Sequence, residues 1–199
     1  MYLCIDTVTA ESGIAIVDQD KVYFLPLESR HSSDGMFIAL DQIFKEAKIK
    51  LSTLQGIAVL RGPGSFTSIR VGIAVANQIA HQLKIPIVGL TTDEWYRFKI
   101  DQSKAVYLQT MNRDEVYSDG RIICFSDLSK KPKIFWFGQL SDDHIKALPS
   151  NYHFIEGQKN TKETWSLACA KIFPSKRTLV YDLIEPYYGK EPHITKSRR

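Results

Sequence analysis

Two short segments in the first half of the chain carry residue types that could contact a phosphate group. Asp6 ends an apolar run at residues 2–5, while Gly62, Gly64 and Ser65 lie between a predicted strand and a predicted helix. A carboxylate at a strand end can lie beside a phosphate and its magnesium, and backbone amides at a helix start can bind an anion. Asp6, Gly62, Gly64 and Ser65 are therefore a candidate phosphate-binding set.

Each part of this set also has a plainer explanation. A lone carboxylate is at least as often structural, and a Gly-Pro-Gly segment is usually only a turn. The segment lacks the Gly-Lys-Ser/Thr of a P-loop, and its glycine spacing does not match the dinucleotide-binding fingerprint. Anion binding and simple turn formation both remain open.

The residue types that bind metals or form disulfides are scattered. Cys4, Cys124 and Cys169 show neither the spacing of metal ligands nor a disulfide framework, and Cys4 lies in an apolar strand pattern that favours a buried thiol. No two histidines stand at ligand spacing; they are His31, His81, His144, His153 and His193. The sequence therefore predicts neither a metal site nor a catalytic residue.

The candidate residues lie within a predicted α/β framework. We expect strands at residues 2–5, 13–17, 22–27, 56–60 and 86–90, and helices at 34–47, 66–83 and 93–100. Strand, glycine segment, helix and strand form a βαβ unit with a right-handed crossover. Further strands are predicted at 105–110, 121–125 and 133–137, and helices at 139–148 and 161–172. A boundary near Ser103 divides the chain into residues 1–103 and 104–199.

Two of the predicted helices are apolar over more of their circumference than one sheet can cover. Gly72, Ala76 and Ala80 recur every four residues and would allow another helix to come close. Burial within the chain and docking of a partner are both open, and we expect Val71, Val75 and Ile79 to be more exposed than Ile69 and Ile73. The candidate interface residues are Met36, Leu40, Ile43, Ile69, Val71, Gly72, Val75, Ala76 and Ile79.

Composition gives weaker guidance. The 199 residues carry 26 basic and 22 acidic side chains, and most of the excess lies in residues 190–199. A basic tail can contact nucleic acid through phosphates, although such tails are more often simply solvated. No apolar run approaches the roughly 20 residues of a membrane-spanning helix, and the first residues do not resemble a signal peptide. We expect a cytoplasmic protein.

Several motifs together resemble the TsaB (YeaZ) family. The most specific is Arg-Gly-Pro-Gly-Ser-Phe-Thr-Ser-Ile-Arg-Val-Gly-Ile-Ala at residues 61–74. Others agree in order along the chain: Ile-Asp-Thr at 5–7, His-Ser at 31–32, Pro-Ile-Val-Gly at 86–89, Met-Asn-Arg-Asp-Glu-Val-Tyr at 111–117 and Glu-Pro-Tyr-Tyr at 185–188. Ser68 departs from the family, which usually has glycine there, and the second half is short.

The resemblance implies an ASKHA-type fold (actin, sugar kinases, Hsp70) with a complete first lobe and a reduced second lobe. It implies a scaffold for making threonylcarbamoyladenosine at position 37 of tRNAs that read ANN codons. The scaffold would pair with the catalytic paralogue TsaD and the ATPase TsaE, and would meet tRNA only through the complex. The apolar faces of the two helices separately predict that the free chain forms a twofold dimer. No cofactor is expected in the isolated chain, and ATP or ADP only with partners.

The same resemblance bears on catalysis. TsaD-like chains carry two metal-binding histidines where Thr92 and Tyr96 stand here, which implies a non-catalytic subunit. Three other functions remain: a small ASKHA-type phosphotransferase or ATPase using Asp6 and the glycine loop at 62–64, a protease, and a homodimer without further partners. No Ser-His-Asp order or His-Glu-x-x-His motif supports the protease.

Overall fold

The structure is a computed structural model that describes residues 1–19, 21–27, 33–128, 131–173 and 182–189. It contains two five-stranded sheets. The His-Ser pair at 31–32 and the basic tail at 190–199 lie outside the described residues. None of the described helices is both long enough and apolar enough to cross a membrane.

The first sheet has the strand order β3-β2-β1-β4-β5. Strands β1 to β3 form an antiparallel meander, and β1, β4 and β5 are parallel. The strands are β1 (Tyr2–Asp6), β2 (Gly13–Asp18), β3 (Lys21–Pro26), β4 (Gly56–Gly62) and β5 (Ile87–Thr91). The helices are α1 (Ser33–Ala47), α2 (Phe66–Leu83) and α3 (Thr92–Arg97). The sequence-based elements of this half are all present, with ends displaced by a few residues.

The second sheet repeats the strand order of the first. Read as β8-β7-β6-β9-β10, it again has an antiparallel meander beside two further parallel strands. The strands are β6 (Val106–Thr110), β7 (Glu115–Ser118), β8 (Arg121–Cys124), β9 (Ile134–Gln139) and β10 (Tyr152–Phe154). The second lobe is therefore reduced in its helices and not in its strand number: α4 (Asp142–Ala147) stands where the first lobe has α2.

Two strands of the second sheet were not predicted from the sequence. Strand β7 belongs to a hairpin whose turn residues Asp119 and Gly120 both have positive φ. An Asp-Gly pair between β-forming residues is a strong hairpin signal and is the sequence feature that indicates this strand. Strand β10 has only three residues, which is too few for a hydrophobic period to be seen.

The last helix, α5 (Thr161–Ile172), packs against the first sheet. Residues directly opposite one another on neighbouring strands share a face, and Cys4, Ala15 and Ala58 form such a row. These small side chains leave room for α5, whose Cys169 Sγ lies 3.3 Å from Cys4 Sγ. The division at Ser103 assigned this helix to the second lobe, whereas its packing joins it to the first sheet.

Residues 182–189 form a strap between the two lobes. On the first lobe, the Tyr187 amide donates to the Arg61 carbonyl at 2.7 Å, and the Asn77 side chain bonds both backbone groups of Ile184. On the second lobe, the Tyr187 hydroxyl donates to the Gly120 carbonyl at 3.0 Å. The Glu-Pro-Tyr-Tyr motif thus belongs to a segment that holds the lobes together.

Candidate functional site

Asp6 is fully buried at the end of β1, and both of its carboxylate oxygens accept hydrogen bonds from the turn that follows. Oδ1 accepts the amides of Val8 at 2.7 Å and Thr9 at 2.9 Å, and Oδ2 accepts the Thr9 hydroxyl. Burial raises the pKa of Asp6 above its ordinary value, and these hydrogen bonds oppose the rise. In this arrangement Asp6 shapes the β1–β2 turn, and its hydrogen-bond partners are Val8 and Thr9 of that turn.

The glycine loop that follows β4 is packed from two sides. Gly62 has a φ of +110°, and a Cβ there would clash with the Tyr187 carbonyl oxygen of the strap. A Cβ at Gly64 would clash with the Val8 side chain. Close packing against the β1–β2 turn and the strap is therefore the visible reason for these glycines. Ser65 is exposed and precedes α2 without a side-chain capping bond.

The carbonyl oxygen of Pro63 joins the two lobes within this loop. It accepts the Thr92 hydroxyl of α3 at 2.9 Å and the Gln109 amide of β6 at 3.1 Å. Gln109 in turn accepts the hydroxyl of the buried Tyr107 at 2.8 Å. We call Asp6, residues 62–64, Thr92 and Gln109 the inter-lobe joint. Of its members, Asp6, Gly62 and Gly64 belong to the candidate phosphate-binding set, Thr92 stands at a position where TsaD-like chains carry a histidine, and no sequence pattern indicates Gln109.

Thr92 and Tyr96, which stand where TsaD-like chains carry metal-binding histidines, both form hydrogen bonds within the chain. Thr92 is fully buried and bonded to Pro63, and the Tyr96 hydroxyl accepts the Gln139 amide at 2.6 Å. Burial raises the pKa of Tyr96, and the nearby carboxylates of Asp6 and Glu11 raise it further. Within the described residues, no three His, Cys, Asp or Glu side chains are grouped closely enough to hold a metal ion.

A cavity of about 620 Å³ lies beside the joint, between the β1–β2 turn, α3, the end of β9 and the start of α5. Lys99, only 5% exposed, forms an ion pair with Glu11, and its Nζ lies 4.6 Å from the centre of the Trp95 ring. The Thr161 hydroxyl also donates to Glu11. Burial acts to raise the pKa of Glu11, but these hydrogen bonds and the lysine charge outweigh it and leave the pKa lowered.

No sequence motif indicates the Glu11–Lys99 ion pair. Glu11 and Lys99 are separated by 88 positions, and neither belongs to a local motif. Only the tertiary fold brings the β1–β2 turn to the end of α3. No signal in a single sequence would have identified the pair.

Most of the candidate interface residues face the protein's own core. Met36, Leu40 and Ile43 of α1 are buried, and so are the α2 positions Ile69, Gly72, Val75, Ala76 and Ile79. Val71 is the partly buried exception. A Cβ at Gly72 would lie 2.6 Å from Thr7 Oγ1, so the small side chain admits the β1–β2 turn and not a partner helix. The structure corrects the assignment of this stripe to an outer surface.

The exposed fractions of the α2 side chains nevertheless differ in the predicted direction. Ile69 is 0% and Ile73 is 4% exposed, compared with 7% for Val75 and 9% for Ile79. These differences are too small to make either stripe an outer face. The tight packing of both stripes explains why a nearly all-round apolar helix is compatible with a single chain.

Other side chains of the same helices do point outward. Phe37 and Ile38 of α1 are 60% and 68% exposed, and Phe66 at the start of α2 is 50% exposed. Phe66 stacks on Tyr188 of the strap at a centroid distance of 4.8 Å, and the Arg70 guanidinium lies 3.8 Å from the centre of the Phe66 ring. We call Phe37, Ile38, Phe66 and the exposed α2 residues 67, 70, 74 and 78 the outer helical face.

Two sheets of the same strand order, joined beside a glycine loop, define a mixed α/β protein of the ASKHA type. A crystal structure from Pseudomonas aeruginosa, described as having similarity to peptidase YeaZ, shares this fold: its TM-score is 0.72 at 18% identity, over 95% of this chain and 99% of that one. A family model described as TsaD, tRNA N6-adenosine threonylcarbamoyltransferase, matches residues 26–106.

Sequence relatives are more specific. The tRNA threonylcarbamoyladenosine biosynthesis protein TsaB of Buchnera aphidicola subsp. Schizaphis graminum is 30% identical over 177 residues, which cover 84% of this chain and 77% of the relative. The chain belongs to the TsaB (YeaZ) family. It is also 36% identical to a tRNA N6-adenosine threonylcarbamoyltransferase of Syntrophotalea carbinolica, but over only 64 residues, 32% of this chain and 19% of that enzyme.

Proposed function

We propose that this chain is a non-catalytic subunit for the synthesis of threonylcarbamoyladenosine in tRNA, and that it docks on a TsaD-like paralogue. Membership of the TsaB family supports the pathway. The observation that carries the docking role is the exposure of Phe37 and Ile38, next to one another on α1, at 60% and 68%. Large apolar side chains grouped on a surface are typical of protein interfaces.

The non-catalytic role is supported by what the conspicuous polar residues do. Asp6, Thr92 and Tyr96 are engaged in hydrogen bonds that shape a turn and join elements of the two lobes. A catalytic group must reach a reacting atom in a plausible substrate position. These side chains instead bond to other groups of the chain: Asp6 to its own turn, Thr92 to the Pro63 carbonyl and Tyr96 to Gln139.

The outer helical face also accounts for the other proposed partners. Without a paralogue, two copies would bury the same patch against each other as a twofold dimer. A TsaE-like ATPase would then join the hetero-pair, and tRNA would be reached through the assembled complex. ATP or ADP would bind only where a partner completes the site.

The docking role can be tested with one matched pair of variants. Ile38→Glu places a charge on the outer helical face, whereas Ile145→Glu places one on α4 at a residue that is also exposed, at 49%. We expect Ile38→Glu to weaken capture of the TsaD-like paralogue by roughly 30-fold or more, as for an interface hot spot. The same variant should dimerise less, while Ile145→Glu should behave as the unmodified chain.

Calorimetry, sedimentation and circular dichroism would supply the three measurements. Both variants should keep the native melting temperature because neither side chain is buried. Docking through this face would be refuted by an Ile38→Glu protein that folds, dimerises and binds the paralogue normally.

The alternative function is a phosphotransferase or ATPase using Asp6 and the glycine loop. The inter-lobe cavity of about 620 Å³ is the observation in its favour. The internal contacts of Asp6, Gly62 and Gly64 count against it. We expect the isolated chain to bind ATP more weakly than a micromolar constant, which corresponds to about −8 kcal/mol. Tighter binding in a calorimetric titration with magnesium present would favour the enzyme.

A further inference from the structure

Two free thiols meet where the last helix lies on the first strand. Cys4 Sγ and Cys169 Sγ are 3.3 Å apart, and both side chains are almost completely buried. The proposed docking role uses neither residue. A disulfide requires a sulfur separation of about 2.05 Å, so a small approach of the two side chains would be enough to form the bond.

The packing around the pair makes this contact specific. Cys4 lies between Ala15 of β2 and Ala58 of β4, so the row of small side chains forms a shallow groove beneath α5. At the end of the helix, Phe173 stacks on Tyr2 with ring centres 4.4 Å apart and nearly parallel planes. At its start, Thr161 donates to Glu11. These contacts at both ends hold Cys169 over Cys4.

We propose that Cys4 and Cys169 form a reversible disulfide under peroxide-class oxidants, and that this bond locks α5 onto the first sheet. The bond would connect positions 165 apart in sequence. Because α5 also forms part of the wall of the inter-lobe cavity, the lock would fix that wall as well.

The chemistry needs only the two thiols and one peroxide. One thiolate attacks a peroxide oxygen, so an S–O bond forms, the O–O bond breaks and the first water leaves. The second sulfur then attacks the sulfenic sulfur, so the S–S bond forms, the S–O bond breaks and the second water leaves. Two electrons pass from the sulfurs to the peroxide, and the two thiol protons end in the two waters.

The environment sets a threshold for this reaction. Burial raises the pKa of the Cys4 thiol, and its hydrogen bond to Cys169 raises it further. The protonated thiol reacts slowly, so we expect the buried pair to oxidise more slowly than an exposed thiol. Cys124 is exposed and would undergo ordinary surface oxidation, so it is replaced in the test.

The test uses the purified full chain carrying Cys124→Ser, with hydrogen peroxide as the probe. After oxidation and alkylation under denaturing conditions, peptide mass spectrometry should find the Cys4 and Cys169 peptides linked. The melting temperature should rise by about 5–15 °C, because a long closed loop restricts the unfolded chain. Dithiothreitol should reverse both changes.

A second variant separates the disulfide from other oxidation effects. Cys4→Ala together with Cys124→Ser should form no linked peptide and should show no peroxide-dependent rise in melting temperature. The linkage in the Cys124→Ser protein is read independently, so poor folding of the Cys4→Ala protein would not remove the test. The proposal is overturned if peroxide leaves both thiols free, or if it converts them only to sulfinic acids.

Discussion

The two lobes share one strand order and differ in the helices that cover their sheets. Between its third and fourth strands the first lobe has the 15-residue α1, where the described residues of the second lobe form a three-residue 3-10 turn. Between the fourth and fifth strands, α2 has 18 residues and α4 has six. Sheets of the same strand order can therefore be covered by long helices or by very short ones.

This difference is consistent with the proposed docking through the first lobe. Long helices cover the first sheet and still leave an outer helical face, on which Phe37, Ile38 and Phe66 are at least half exposed. The second lobe instead contributes contacts to the inter-lobe joint, such as Gln109 on Pro63. The first lobe is thus the candidate for partner binding, and the second lobe closes the joint.

The largest expected effect comes from two neighbouring residues of α2. Val75 is 7% exposed, whereas Ala74 is exposed. Val75→Glu buries an unpaired carboxylate, and we expect it to lower the free energy of unfolding by at least about 4 kcal/mol. Ala74→Glu should change stability by less than about 0.5 kcal/mol but weaken paralogue binding, because its charge lies on the outer helical face.

Urea unfolding and a binding titration would check both variants. The sequence favours Val75 for the outward stripe, whereas the structure buries its side chain. A stable Val75→Glu protein would show that α2 presents this side to solvent.

Next in size are equivalent glycines of the two lobes. Gly62 at the end of β4 and Gly138 in β9 have φ values of +110° and +121°. A Cβ at either position would clash with a backbone carbonyl oxygen, that of Tyr187 or of Leu108. Gly62→Ala and Gly138→Ala should each cost roughly 3 kcal/mol of stability, because strain and overlap add.

Gly120 supplies the matched control. Its φ is +93°, yet a Cβ there would meet nothing within 4 Å. Gly120→Ala should cost only about 1–2 kcal/mol, from the backbone conformation alone. Equal losses at all three positions in urea unfolding would mean that close packing is not what selects Gly62 and Gly138.

The sequence predicted the first lobe better than the second for a physical reason. Helices α1 and α2 span several turns, so their apolar period is clear, and β4, the glycine loop and α2 form one local βαβ signal. Strands β7 and β10 are too short to show a period. The inward direction of Val75 could not be predicted, because α2 is apolar on most sides and only the packed sheet selects a face.

The candidate site was also only partly predictable from the sequence. Asp6, Gly62 and Gly64 could be chosen as candidate site residues from their residue types and positions, but residue type does not predict which groups they contact. The partners that occupy them, such as Tyr187, are far away in sequence. In the sequence these glycines are compatible with a phosphate loop or with close packing. The position of the strap against Gly62 favours close packing.

The smallest expected effect concerns a turn that the two lobes share. In the first lobe, Asp6 Oδ1 accepts the amides two and three residues later; in the second, Asn112 Oδ1 accepts those of Asp114 and Glu115, both at 2.9 Å. One turn uses a buried charge and the other an exposed amide. Asp6→Asn would give the first lobe the side chain of the second while keeping the Oδ1 acceptor.

The pH dependence of that variant tests how the buried charge is balanced. Because burial raises the pKa of Asp6 above 3.8, the folded state binds the proton more tightly than the unfolded state. The resulting stability is fully present below the ordinary value and is lost as the pH rises through the raised pKa. The stability of the unmodified chain minus that of Asp6→Asn should therefore fall across this window and then level off. If urea unfolding at a series of pH values shows the difference growing instead, the turn's hydrogen bonds outweigh burial, and the first lobe holds a well-stabilised anion where the second holds an amide.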